Sequence, residues 1–546
     1  MSSRGRVPRP PRPRTPARTL GRIVVAAALA VTALSAAPKA QAAGRYERPS
    51  PSAYALTDRG LVHGTVADGH RAFQGIPYAA PPVGDLRWRP PQPAARWTGV
   101  REATQPGNTC TQYAAGGMGA PFGSEDCLYL NVTTPVDAKG RAPHGRPVIV
   151  WIHGGSFLYG SASELPATRL AARGDAVVVS VNYRLGAFGF LAHPALGNPG
   201  SASGNYGLMD QQAALRWVRA NAAFFGGNPG NVTIMGESAG GISVCGQLIS
   251  PAARGLFDKA IEQSGACHDP FTTQAAAEQT GRETAAALGC SDPASAAACL
   301  RAAPAAAIAA QGAFPDGRWA PAVGGTLLPR QPQEAISQGT WNRVPVVLGA
   351  TKDEMNLWGA LSYDGAGRPI TAEQYPQMVR ALYGADADQV LARYPLSSYR
   401  TPTLAFFAAQ SDCGGPLSWC KTLDTARTYT YQGRTPVYVY EFADENAPSY
   451  LPGLEGYGAT HTTELGYLLD AGVTLTPQQT ALSDRMIRYW TRFAATGQPN
   501  APGQPCWPRY RDPADVLALA PGPGGIRTVD AATEHHYPFW QALGRA

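Results

Sequence analysis

Five residues, Gly236-Glu237-Ser238-Ala239-Gly240, join an apolar β run at 231–235 to a helix-compatible stretch at 239–250. A strand that turns into a helix within so short a span needs a tight, strained bend, with the central side chain thrust out at its apex. Glycines on either side let the two arms of the bend approach closely. The pattern predicts a nucleophile elbow that presents the hydroxyl of Ser238. It also requires a sheet strand followed directly by a helix, which excludes an all-β or all-helical chain.

The rest of the chain repeats that alternation. Short runs rich in Val and Ile recur at 147–153, 176–183, 260–262, 344–348 and 437–442, with helical stretches between them. At 208–225, Leu208, Leu215, Val218 and Ala222 share one helical face, and Gly226-Gly227 supplies the stop. The expected fold class is α/β, with a mostly parallel central sheet covered by helices on both faces. Residues 268–340 and 360–430 read as large helical insertions over the sheet edge, with a surface helix in the Ala-rich stretch 294–311. A chain of 546 residues is within reach of one large domain with insertions. No repeat or polar linker divides it, so 44–546 reads as a single catalytic domain.

The formal charge of +7 suggests a nucleic-acid surface until it is located. Residues 1–43 hold seven Arg and Lys39 and no acid, which leaves the body with 38 basic and 39 acidic residues. A body near −1 offers no basic face, and no nucleic-acid partner is expected. The basic segment itself has the anatomy of a signal peptide: a charged stretch from Arg4 to Arg22, an apolar run at 23–37, and Ala40-Gln41-Ala42 as the cleavage site. The apolar run of 15 residues is short for a bilayer span. The expectation is a secreted, extracellular protein that starts near Ala43 or Gly44, with no transmembrane anchor after cleavage.

Export permits disulfides, and there are nine cysteines, none in a C-x-x-C pair. No metal site is expected. Spacing suggests Cys110–Cys127, Cys290–Cys299 and Cys413–Cys420 as short loop closures, with Cys245–Cys267 the weaker pairing. Cys506 is left over and is expected to be a buried thiol.

A serine nucleophile needs a base and an orienting acid. In this architecture they follow in the order Ser, acid, His. The histidines after Ser238 are His268, His461, His535 and His536. His268 comes too soon to leave room for an acid, and His535 and His536 lie near the terminus beside Glu534. His461 follows a glycine-rich loop and is the expected base. The acid is Asp353 or Glu354, after the strand at 344–348; residue chemistry alone does not separate them. Upstream, Trp151-Ile152-His153-Gly154-Gly155-Ser156 ends a strand in a glycine turn, the placement expected for half of an oxyanion hole. With an imidazole base, kcat/KM should rise through an apparent pKa of roughly 6–7.

At these residues the chain resembles the type-B carboxylesterase family, α/β-hydrolases that include bacterial carboxylesterases, some lipases and cholinesterases. The resemblance runs through Phe73-Gln74-Gly75-Ile76-Pro77-Tyr78-Ala79, Leu86-Arg87-Trp88, Ser124-Glu125-Asp126-Cys127-Leu128-Tyr129-Leu130-Asn131, Asn182-Tyr183-Arg184, and Phe225-Gly226-Gly227-Asn228-Pro229. It implies the α/β-hydrolase fold, in a secreted bacterial member, with Ser238 as nucleophile and Glu354 as the acid. His461 as base is matched by Gly458-Ala459-Thr460-His461-Thr462-Thr463-Glu464. Asp353 and Glu464 then act as support. The implied oxyanion donors are the N–H groups of Gly155, Ser156 and Ala239, with Gly154 adjoining. Family disulfides match Cys110–Cys127 and Cys290–Cys299, and no cofactor is implied. The expected activity is hydrolysis of a neutral small-molecule carboxylic ester through an acyl-enzyme. Carbamates, thioesters or anilides are the alternative substrates, and a non-catalytic binding or adhesion protein is the rival class. The loop between Cys110 and Cys127 holds Tyr113 and Phe122 but no Trp to cradle a quaternary ammonium, unless Trp319 or Trp358 enters the gorge.

Overall fold

Successive side chains of a strand point to opposite faces of its sheet, so strands made of consecutive apolar residues need cover on both sides. The computed structural model describes residues 53–546 except 68, 115–118, 137–143, 198–202, 313–316 and 432–434. They belong to one compact unit, Pro49–Ala546. The expected signal segment 1–43 lies outside the described residues.

Eleven strands form the central sheet: β1 (Thr65–Ala67), β2 (His70–Pro77), β3 (Tyr129–Pro135), β4 (Arg146–Ile152), β5 (Val177–Val181) and β6 (Gly227–Glu237). The others are β7 (Lys259–Gln263), β8 (Val346–Thr351), β9 (Val437–Phe442), β10 (Val516–Leu519) and β11 (Ile526–Val529). Their order is β11-β10-β9-β8-β7-β6-β4-β5-β3-β2-β1. The block from β10 to β5 is parallel, and the pairings at the two edges are antiparallel.

Each central strand divides its apolar residues between two cores. Val148, Val150 and Ile152 of β4 face the helices α1 (Tyr206–Asn221), α2 (Ala239–Ile249) and α3 (Trp419–Thr430). Ile149 and Trp151 of the same strand face α4 (Pro477–Thr496), which contributes Met486, Ile487, Trp490 and Phe493. Two short helices, α5 (Ala531–Glu534) and α6 (Tyr537–Ala542), close the chain, and Trp540 packs into a third apolar cluster whose other buried members run from Met355 to Cys420.

Several boundaries differ from expectation for backbone reasons. β8 starts at Val346 because Pro345 has no N–H to pair, and it runs on to Thr351. The Ala-rich stretch is two helices, Ala296–Ala302 and Ala305–Ala309, broken at Pro304. The helix α1 ends at Asn221, and a tighter turn, Ala222–Phe225, runs on to Gly226 at φ 88°.

All four expected disulfides are present, Cys110–Cys127, Cys245–Cys267, Cys290–Cys299 and Cys413–Cys420. A closure such as Cys110–Cys127, 17 residues apart, stabilises by about 3 kcal/mol in the chain-entropy view. Cys506 contradicts the expectation of a buried thiol: it is free and exposed. Its neighbour Trp507 fills the core position instead and donates its indole N–H to the Val439 carbonyl at 2.9 Å.

Candidate active site

Ser238 caps the N-terminus of α2 at φ 56°, ψ −126°, a strained region for a residue with a side chain. The flanking glycines are there for close approach. A Cβ on Gly236 would lie 2.3 Å from the Gly240 carbonyl, and one on Gly240 would lie 2.1 Å from the Ile152 carbonyl. The elbow is thus packed against the end of β4, where the other glycine turn begins. A Cβ on Gly154 would meet Ser238 Cβ at 3.0 Å, so that turn and the serine are in contact. Gly155 and Ser156 both have positive φ, 98° and 54°. Ala239 is the first residue of α2, and its N–H has no intrahelical acceptor. The hydroxyl of Tyr183 donates to the His153 carbonyl at 2.8 Å and its ring stacks on His153, which fixes the end of β4 from outside. Burial lowers His153 to about 4, so it stands there as a neutral ring.

Both candidate acids follow β8, and the geometry separates the two carboxylates. Glu354 is fully buried, and its Oε2 lies 2.6 Å from His461 Nδ1. Its Oε1 accepts from the Ser264 hydroxyl at 2.5 Å and from the Thr351 N–H at 2.8 Å. Asp353 instead accepts the Ala459 N–H at 3.0 Å and gives its own N–H to the Ala459 carbonyl, which pins the loop two residues before His461. Burial raises the Asp353 carboxyl to about 6.

Two features of the site were not anticipated. His461 Nε2 faces Glu237 Oε1 at 3.1 Å, and no hydrogen bond joins it to the adjacent Ser238 hydroxyl in this conformation. Ser264, at the end of β7 with φ 47°, supplies a further bond to Glu354. Glu464, read as support, lies in the same cluster and accepts from Gln263 Nε2 at 3.0 Å. Burial alone would lower His461, but Glu237, Glu354 and Glu464 push it up to about 9. Burial, with the neighbouring carboxylates, raises Glu237 to about 8 and Glu464 to about 7. The expected limb at 6–7 is therefore revised upward, because the ring lies among carboxylates. Trp358 packs against the His461 ring at 5.3 Å between centroids, whereas Trp319 is buried with its N–H on the Gln311 carbonyl. Phe122 is exposed.

Among the described residues, Cys245, Glu262 and Cys267 are the group close enough to share a metal ion. Their two sulfurs are bonded to each other, which leaves a single carboxylate. No helix among the described residues is long and apolar enough to cross a membrane.

A strained serine on a strand–helix turn, a glycine turn against it and a buried Glu–His pair form an arrangement suited to acyl transfer. The carboxylesterase family model matches residues 51–540. The chain belongs to the carboxylesterase family. It is a carboxylic-ester hydrolase with the α/β-hydrolase fold. It is 34% identical over 477 residues to the para-nitrobenzyl esterase of Bacillus subtilis (strain 168), covering 84% of this chain and 92% of that one. It is also 34% identical to the pyrethroid hydrolase Ces2a of Mus musculus, covering 89% of this chain and 90% of the other. The solved structure of a PNB esterase superposes with a TM-score of 0.72 at 32% identity, covering 90% of this chain and 99% of that one.

Proposed function

We propose that this carboxylesterase is a secreted serine enzyme that acts on neutral esters through Ser238, His461 and Glu354. The observation that carries the reading is the 2.6 Å contact between Glu354 and His461 beside the elbow that bears Ser238. Glu354 holds the imidazole through Nδ1, and a turn of the ring brings Nε2 from Glu237 Oε1 to the adjacent Ser238 hydroxyl. Nε2 takes the hydroxyl proton as Ser238 Oγ bonds to the ester carbonyl carbon. The N–H groups of Gly155, Ser156 and Ala239 hold the oxyanion, and imidazolium returns the proton to the departing alcohol. Water, deprotonated by the same nitrogen, then cleaves the acyl-enzyme.

The preference for neutral substrates follows from charge. At neutral pH the imidazolium of His461, held up to about 9, offsets the carboxylates around it, and burial draws Glu237 towards its neutral form. Glu354 is shielded behind the ring. The pocket presents no uncompensated anion to a quaternary ammonium, although Trp358 supplies an aromatic face. Export of the chain after loss of residues 1–43 completes the reading, and four disulfides suit that destination.

A fluorophosphonate should label Ser238 alone, and a panel of p-nitrophenyl esters from acetate to palmitate should show turnover that Ser238→Ala abolishes. An unlabelled Ser238 with no turnover would favour a binding protein on this fold. Faster turnover of a carbamate, thioester or anilide in the same panel would move the substrate class. Glu354→Gln should be severely impaired and Asp353→Asn largely active; the reverse would exchange their roles. A choline ester preferred over its neutral isostere would overturn the charge argument.

A further inference from the structure

His535, near the terminus beside Glu534, is the centre of a second buried ionic cluster. It follows α5 and is almost wholly inaccessible. Its Nδ1 lies 2.7 Å from Asp412 Oδ1 and its Nε2 lies 3.1 Å from Glu441 Oε2. With a carboxylate at each nitrogen the ring can donate at both, which favours the doubly protonated cation. Burial would lower its pKa, but the hydrogen bonds to Asp412 and Glu441 outweigh that and push it up to about 9. Asp412 is itself fixed, since it accepts from the Tyr394 hydroxyl at 2.7 Å, which accepts in turn from Trp540 Nε1 at 2.9 Å.

The cation does not end in structural packing. Its ring lies flat on the indole of Trp419, with centroids 4.6 Å apart and planes 8° from parallel. That arrangement suits cation–π attraction and holds the indole in one orientation. The Trp419 N–H donates to the carbonyl of Thr351 at 2.9 Å. Thr351 is the last residue of β8, and its own N–H donates to Glu354 Oε1 at 2.8 Å. Glu441 reaches the same place from the neighbouring strand, where it pairs in register with Ala350. The residue that orients Glu354 is thus held through its carbonyl by an indole that His535 holds in turn.

We propose that His535 is a positioning residue for the ester hydrolysis argued above, its cation fixing Trp419 and thereby the Thr351–Glu354 turn that aims Glu354 at His461. The proposal rests on that functional reading. Small displacements of an orienting group are costly for rate while leaving substrate affinity alone, because they act on the geometry of proton transfer. The charged and titratable groups around His535 are Asp412, Glu441, Glu534, Asp353 and His536.

The decisive variant is Trp419→Phe, which keeps a ring beneath His535 and deletes only the donor to Thr351. His535→Gln removes the cation, and Asp412→Asn weakens it should His535→Gln fail to fold. All are compared with Ser238→Ala on p-nitrophenyl butyrate. Trp419→Phe should lower kcat roughly tenfold with KM unchanged, and should shift the acidic limb of kcat/KM to lower pH as Glu354 loosens from His461. The cation variants should do the same. Variants that lose only thermal stability, with kcat and the pH limb those of the parent, would reduce His535 to a structural clip and overturn the proposal. If Ser238→Ala keeps its activity, the functional reading fails instead, and the two failures are distinct.

Discussion

The carboxylate of Glu237, 3.1 Å from His461 Nε2, is the largest of the influences that raise the imidazole against the lowering effect of burial. A negative neighbour favours the protonated ring, so the base form appears only at higher pH. Glu237→Gln should move the acidic limb of kcat/KM down by more than about one pH unit, read from a pH profile with a non-titrating ester. An unmoved limb would show that Glu354 alone sets the ring. None of this was legible in G-x-S-x-G, where the residue before serine is free to vary. Ser264 was equally hidden, because a serine after a short strand carries no signature until the next strand brings Glu354 beside it. Ser238 and His461 were legible because chain order and turn spelling constrain them directly. The choice of Glu354 over Asp353 needed the family resemblance. The structure adds the reason: one carboxylate faces the ring and the other faces the backbone of Ala459.

At the scale of elements, the site depends on three chain segments meeting without side chains between them. The end of β4, the elbow and the loop after β7 pack backbone to backbone through Gly154, Gly236, Gly240 and Gly265. Gly240→Ala would place a methyl 2.1 Å from the Ile152 carbonyl, a contact neither backbone can relieve. Expression of this variant should yield protein that is insoluble, or soluble with no esterase activity. Wild-type activity would show that the elbow tolerates separation from β4. The order of strands and helices was readable from alternating Val and Ile, since a parallel sheet buries both faces. The short terminal helices and the broken Ala-rich stretch were not, because their ends are set by proline and by tertiary packing rather than by period.

Over the whole molecule, buried charge sets how stability responds to pH. Glu262 is buried in β7 with one hydrogen bond, from the Tyr429 hydroxyl, and burial raises it from 4.5 to about 8. The folded state keeps a proton that the unfolded chain releases, so this stabilisation is complete below about pH 4.5 and is lost as pH rises towards 8. Glu262→Gln should therefore gain in Tm relative to the parent between pH 5 and pH 8, measured by calorimetry; parallel curves would show that Glu262 ionises freely. Cys506 gives a second global test. The native protein should take up one equivalent of a maleimide, at Cys506, without denaturant or reductant. Uptake of more would mean that some disulfides are open. A cysteine left over after pairing carries no sign of which way it turns, and in the fold Trp507 turns inward while Cys506 faces out. The sheet order, finally, has a bearing on assembly. Ser238 follows β6, Glu354 follows β8, and His461 lies beyond β9, so no two of them come from one hairpin or one crossover. Contacts this far apart in sequence form late, after the loops between them have closed. Hydrolysis is then a reporter of completed folding, and the appearance of turnover during refolding marks the arrival of the last third of the chain.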